Sequence, residues 1–136
     1  MRTSARRVLR ASPVAERAAA VAAAASLALA AFGGAAAERT PGQRQTLTDL
    51  AYTLGESHAL RQACQGEGDQ YWRARMQQLM ELEEPDQAFA SRLAGAFNSG
   101  YAQAQASFPA CGARSRAAAM RAAAKGRRLA SGLGNS

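Results

Sequence analysis

The chain has 136 residues, 48% of them hydrophobic, a formal net charge of +7, one histidine and two cysteines. One histidine and two cysteines are too few for a self-contained zinc site, and the length suits one small domain. The charge is segregated: residues 1–37 carry +4, residues 38–112 carry −3 and residues 113–136 carry +6, which excludes a uniformly basic, nucleic-acid-binding fold.

Residues 1–37 read as a cleavable export signal. Arg2, Arg6, Arg7, Arg10 and Arg17 form a basic start, Ala18 to Phe32 an apolar run, and Ala35-Ala36-Ala37 a small-residue site before Glu38. That is the order of charge, apolar stretch and cleavage site in a secretory signal. The apolar run is alanine-rich and shorter than the roughly 20 strongly apolar residues of a spanning helix, so no transmembrane anchor is expected. Arg6-Arg7 is similar to a twin-arginine signal, but an arginine pair is common in basic leaders, and the general secretory route is favoured. The expected localisation is periplasmic.

Residues 38–45 are polar and contain Pro41-Gly42, so they are expected to be a flexible N-terminal segment. From there to residue 130 the periodicity is helical, with no alternating strand pattern. The spacing predicts a first helix from Thr46 to Gln65, capped by Thr46 or Thr48. Leu47, Leu50, Ala51, Leu54 and His58 share one face, with Arg61 and Cys64 at its edge. A second helix is expected from Gln70 to Glu83 with Asp69 as N-cap and an apolar stripe of Trp72, Met76, Leu79 and Met80. A third runs from Pro85, suited to the first turn, to Phe108. Its stripe is Phe89, Leu93, Ala96, Phe97, Gly100, Tyr101, Ala104 and Phe108; Gly100 suits a close helix crossing. Pro109-Ala110-Cys111-Gly112 separates it from a fourth, alanine-rich helix from Ala113 to Leu129, and residues 131–136 are expected to fray.

Cys64 and Cys111 are the only cysteines. In an exported protein an even count argues for a disulfide, here between the end of the first helix and the start of the fourth. The expected fold is all-α, a small four-helix bundle with one disulfide after a cleavable signal peptide.

The candidate chemistry is sparse. His58 with Arg61 could hold an anionic group or move a proton; the alternative is that His58 packs in the core while Arg61 reaches a carboxylate. Glu56, near Tyr52 and Leu60, could act as an acid if burial raised its pKa; otherwise it is an exposed helical carboxylate. Arg114, Arg121, Lys125 and Arg128 fall on one face of the fourth helix, with Arg116 and Arg127 apart. That face could bind a cell-envelope polyanion, an anionic lipid headgroup or an envelope protein. It could instead be solvated, or pair internally with Glu81, Glu83, Glu84 and Asp86. Without interleaved aromatics it does not resemble a single-stranded nucleic-acid binder. No phosphate-binding, dinucleotide, metalloprotease or serine-hydrolase motif is present, so no metal or cofactor is expected.

Two runs carry a resemblance. Leu50-Ala51-Tyr52-Thr53-Leu54-Gly55-Glu56-Ser57-His58-Ala59-Leu60-Arg61 with Cys64 is one. Asp69-Gln70-Tyr71-Trp72-Arg73, Met76, and Ala96-Phe97-Asn98-Ser99-Gly100-Tyr101 through Phe108-Pro109-Ala110-Cys111 form the other. Together they resemble a family of short, exported, uncharacterised alphaproteobacterial proteins, over about residues 46–130, and both cysteines fall in that pattern. The resemblance implies an exported helical domain and no particular activity. Glu56-Ser57, Met76-Gln77-Gln78-Leu79-Met80 and Phe97-Asn98-Ser99-Gly100 are also similar, in order, to motif fragments of lytic transglycosylases. That likeness would make Glu56 the acid/base on a glycosidic oxygen. The Gly-Leu that should precede Met76 and the middle Asn-containing motif are absent. The functional expectation is a non-catalytic, envelope-associated binding or accessory module. The alternatives are a peptidoglycan-cleaving enzyme and a small structural protein that oligomerises.

Overall fold

The computed structural model describes residues 38–135; the proposed leader and Ser136 lie outside the described residues. Four helices follow one another: α1 (Pro41–Gln65), α2 (Tyr71–Glu83), α3 (Gln87–Ser107) and α4 (Ala113–Gly134). Among the described residues there is no strand. The helices alternate in direction, which leaves α1 and α3 parallel. Arg44 near the start of α1 reaches Asp86 at the start of α3, and Gln62 near the end of α1 meets Tyr101. Arg39 before α1 meets Glu83 at the end of α2, and Cys64 meets Cys111 ahead of α4.

Local chemistry explains the boundaries, including those that differ from expectation. α1 begins at Pro41, so residues 41–45 are helical. The Thr40 hydroxyl accepts from the Gln43 N–H at 3.2 Å, and the Gln43 side chain accepts from the Thr40 N–H at 2.8 Å. This capping box, with Pro41 preset for the first turn, outweighs the turn character of Pro-Gly. Thr46 and Thr48 are therefore interior residues whose hydroxyls donate to the carbonyls of Gly42 and Arg44. α2 starts at Tyr71 with Gln70 at the cap, yet Asp69 still accepts the Tyr71 N–H at 3.1 Å. Pro85 lies ahead of α3 rather than in its first turn, because Asp86 is the N-cap and accepts from the Phe89 N–H at 2.9 Å. α4 continues to Gly134, five residues beyond Leu129. Its last turns are held against the fold by Leu129 and Leu133, which pack on the main apolar cluster.

α1 is the hub. α2, α3 and α4 each pack against it, and between Thr53 and Leu60 every residue except Glu56 is buried. Leu47, Leu50, Ala51 and Leu54 do share one face, and His58 packs with them toward α3, but a helix wrapped on three sides buries other faces as well. Small residues fill the additional faces: Thr53, Gly55, Ser57 and Ala59.

The face toward α2 and α3 is made of large side chains. Leu47, Leu50, Ala51 and Leu54 of α1 cluster with Met76 of α2 and with Phe89, Leu93 and Phe97 of α3. Burying each leucine or phenylalanine stabilises the fold by about 1.5–3 kcal/mol. Two glycines set the distance between α1 and α3. A methyl group on Gly55 would overlap the Phe97 carbonyl, and one on Gly100 would overlap the Tyr52 carbonyl. The neighbours are backbone, which cannot rotate away, so both positions require glycine. The expectation of a close crossing at Gly100 is met, with Gly55 as its counterpart.

The face toward α4 is different. Its buried cluster is Ala59 and Leu60 of α1, Ala104 of α3 and Ala118 and Ala122 of α4, joined by buried Thr53, Ser57 and Ser115. The Cys64–Cys111 disulfide staples this side, with Cα atoms 4.8 Å apart and a separation of 47 in sequence. Closing such a loop stabilises by about 4 kcal/mol in the chain-entropy model.

Candidate functional site

The basic helix presents part of its charge to solvent and folds the rest against its neighbours. Arg121 and Arg128 are exposed, about two helical turns apart, and neither forms an ion pair among the described residues. Two of the acids considered as internal partners are engaged elsewhere: Glu83 takes Arg39 at 2.8 Å and Asp86 takes Arg44 at 3.5 Å. Arg114 turns back over the Phe108 ring at 5.9 Å, and Arg116 lies 3.7 Å from the Cys111 sulfur. Lys125 is half-buried, its ammonium 5.5 Å from the centre of the Tyr52 ring. Tyr52 and Lys125 thus join the inner edge of the basic face to α1.

Glu56 sits on that same edge, one turn beyond Tyr52. Burial raises its pKa, and the positive charge of Lys125 partly opposes the rise. The structure therefore brings Glu56 to Lys125, not to His58.

His58 faces another side of α1. It is 1% exposed, its ring centre 5.4 Å from that of Tyr101 and 5.7 Å from that of Phe97. Its Nδ1 is buried with no hydrogen-bond partner among the described residues. Burial holds its pKa below the ordinary value, the nearby Arg73 charge adds to this, and Asp69 opposes it. The neutral ring packs as an aromatic.

Arg61 turns to α2. Its Nε donates to both carboxylate oxygens of Asp69 at 2.9 Å, and its guanidinium lies 4.9 Å from the centre of the Tyr71 ring. Arg75 approaches the same ring at 5.2 Å, and Trp72 meets it edge-on at 5.0 Å. This arginine–aromatic stack escaped the sequence reading. The spacing of Tyr71 and Arg75, four apart on one helix, was the available signal; the approach of Arg61 from α1 depended on the turn between the helices.

Arg73, Met76, Gln77, Met80 and Glu81 of α2 and Ala94, Phe97 and Asn98 of α3 line an open groove of about 650 Å³. It contains residues from two of the transglycosylase-like fragments, but Glu56 is not among its lining. Among the described residues no group of His, Cys, Asp and Glu is arranged to hold a metal ion, and no helix is long and apolar enough to cross a membrane.

Residues 43–136 match the family described as Protein of unknown function (DUF2385). The chain belongs to that family. In this member of DUF2385 the family region takes in nearly all of α1 and the whole of α2, α3 and α4. It therefore includes both cysteines, the Gly55–Gly100 crossing and every candidate residue described above. No curated protein and no solved structure matches the chain.

Proposed function

We propose that this DUF2385 member is an exported binding or accessory module of the cell envelope, engaging anionic groups through the outer face of α4. The observation that carries the reading is the charge of α4 itself. Residues 113–136 carry six Lys and Arg and no acid, and Arg121 and Arg128 are exposed with no ion pair among the described residues. The leader pattern and the disulfide support an oxidising compartment outside the cytoplasm. The likeness to short exported alphaproteobacterial proteins points the same way. Periplasmic extracts should yield a chain beginning at Glu38 and two hydrogens lighter than its reduced form; recovery of the full-length chain from the cytoplasm alone refutes export.

Binding is tested with the oxidised protein and vesicles of phosphatidylglycerol or of phosphatidylcholine. Each cation near an anionic surface contributes about 1 kcal/mol. Arg121→Gln with Arg128→Gln should therefore weaken sedimentation with phosphatidylglycerol by at least about 10-fold, and added salt should weaken the wild type. Equal binding to neutral vesicles, or indifference to the double substitution, overturns the reading.

A second reading, a peptidoglycan-cleaving enzyme with Glu56 as acid, is favoured by one observation: burial keeps that carboxyl partly protonated to higher pH than an exposed one. It predicts release of soluble cell-wall fragments that Glu56→Gln abolishes. No release at any pH between 4 and 8 removes it.

A further inference from the structure

α4 is held by other means than its neighbours. Its buried residues are Ser115, Ala118 and Ala122, none of them large. Gly126 faces the methyl of Thr53, and Leu129 and Leu133 reach the main apolar cluster only as partly buried neighbours. At its end Arg39 donates to the Leu133 carbonyl at 3.4 Å. The part of α1 that it covers is mostly small or hydroxyl-bearing, with Thr53, Ser57 and Ala59 beside Leu60 and with Leu50 at its border. To the α1–α2–α3 cluster α4 adds the edges of Leu129 and Leu133 and the approach of Gly126 to Leu50.

The disulfide is placed where it can compensate, and where it can be opened. Cys111 is exposed and Cys64 is half-buried, so a small thiol can reach the bond. The Arg116 guanidinium, 3.7 Å from the Cys111 sulfur, favours departure of that sulfur as a thiolate.

We propose that Cys64–Cys111 is a reducible latch for α4: oxidised, it holds the helix along α1; reduced, it lets α4 detach while α1, α2 and α3 remain folded. With glutathione as reductant, a first thiolate attacks the Cys64 sulfur. The Cys64–Cys111 bond breaks, a Cys64–glutathione bond forms, and Cys111 leaves as a thiolate beside Arg116. A second glutathione thiolate attacks the glutathione sulfur of this mixed disulfide, expelling the Cys64 thiolate and yielding glutathione disulfide. Two electrons pass from the two thiols to the protein, whose sulfurs are protonated according to pH. Glutathione disulfide drives the reverse reaction. The latch decides whether the α4 cations form a fixed face or belong to a free basic segment, and it is independent of what those cations bind.

Hydrogen exchange on the whole protein tests this in three samples: oxidised, reduced with excess dithiothreitol, and Cys64→Ser with Cys111→Ser. Peptides from residues 113–134 should lose at least about 10-fold in protection in both thiol-free and reduced samples, while those from residues 47–58 and 89–100 stay within about 3-fold. Loss of protection in all helices together overturns the latch, because the disulfide would then only set global stability; this includes a variant that fails to fold. Unchanged protection in α4 also overturns it. Arg116→Ala should shift the glutathione midpoint about two- to five-fold toward the disulfide, as expected for an exposed charge contact; an unchanged midpoint overturns the part assigned to Arg116.

Discussion

The two long seams on α1 solve the same packing problem in opposite ways. Toward α3, two glycines bring the backbones together, and phenylalanine and leucine side chains fill the flanks. Toward α4, alanine and serine make the contact, and a covalent bond supplies the tether that little apolar area can provide. One seam is secured by shape and the other by connectivity. Substitutions should therefore act differently on the two, even when the chemistry changed is the same.

The largest effect is expected from Phe97→Ala. This side chain lies in the α3 seam and also covers His58, and its truncation should lower unfolding free energy by about 3–5 kcal/mol in urea titrations of the oxidised protein. A loss near 1 kcal/mol would mean that the seam collapses around the gap and is less shape-dependent than its packing suggests.

A pair of glycine substitutions gives the sharpest contrast. Gly100→Ala drives a methyl into the Tyr52 backbone and should cost about 1–3 kcal/mol. Gly126→Ala places its methyl 3.6 Å from the Thr53 side chain, an ordinary contact. There the gain in helix propensity should stabilise by up to about 1 kcal/mol. Effects of the same sign at both sites would erase the distinction between the seams.

Acid should act first through the α3 side. His58 has a lowered pKa in the folded state, so its contribution is intact above the unfolded value near 6.5 and declines as the pH falls from there toward the folded value. Thermal unfolding followed from pH 7.5 to 5 should show this decline, and His58→Gln should flatten it. On the α4 side the sign reverses. Glu56 has a raised pKa, so protonation favours the folded state, and its contribution is greatest below the unfolded value near 4.5 and disappears as the pH rises through the folded value. Glu56→Gln should therefore remove a small stabilisation seen only in acid. The smallest effect belongs to Arg121→Gln with Arg128→Gln: being exposed and unpaired, these residues should leave the melting temperature within the shift given by about 0.5 kcal/mol.

The seams were unequally legible in the sequence. The stripe from Phe89 to Phe108 announced α3 because large side chains at helical spacing have one reading, and Gly100 within it pointed to a close crossing. Gly55 went unnoticed because its role depends on the partner helix and not on its own neighbours in sequence. The burial of Thr53, Ser57 and Ala59 was hidden for a related reason: a helix enclosed on three sides loses the polar face that marks amphipathic periodicity. Thr40 as cap was masked by Pro41-Gly42, whose turn character is a local tendency that the capping box overrides. Among the candidate residues, the fate of Arg61 was open until the turn placed Asp69 and Tyr71 beside it. The separation of Glu56 from His58 follows from their angular positions on α1, but their different neighbours required the three-dimensional packing.

The central position of α1 has a consequence for how the chain assembles. Among the described residues the hub is the first of the four helices in chain order, so the helices that cover it there are synthesised later, the last of them with residues 113–134. Contacts this distant in sequence delay closure and leave the hub exposed in the meantime. On its α4 side the small or hydroxyl-bearing Thr53, Ser57 and Ala59 bear contact with water well during that wait, with Leu60 the large apolar exception. The order of the helices along the chain thus matches the order in which the faces of α1 can tolerate being left bare.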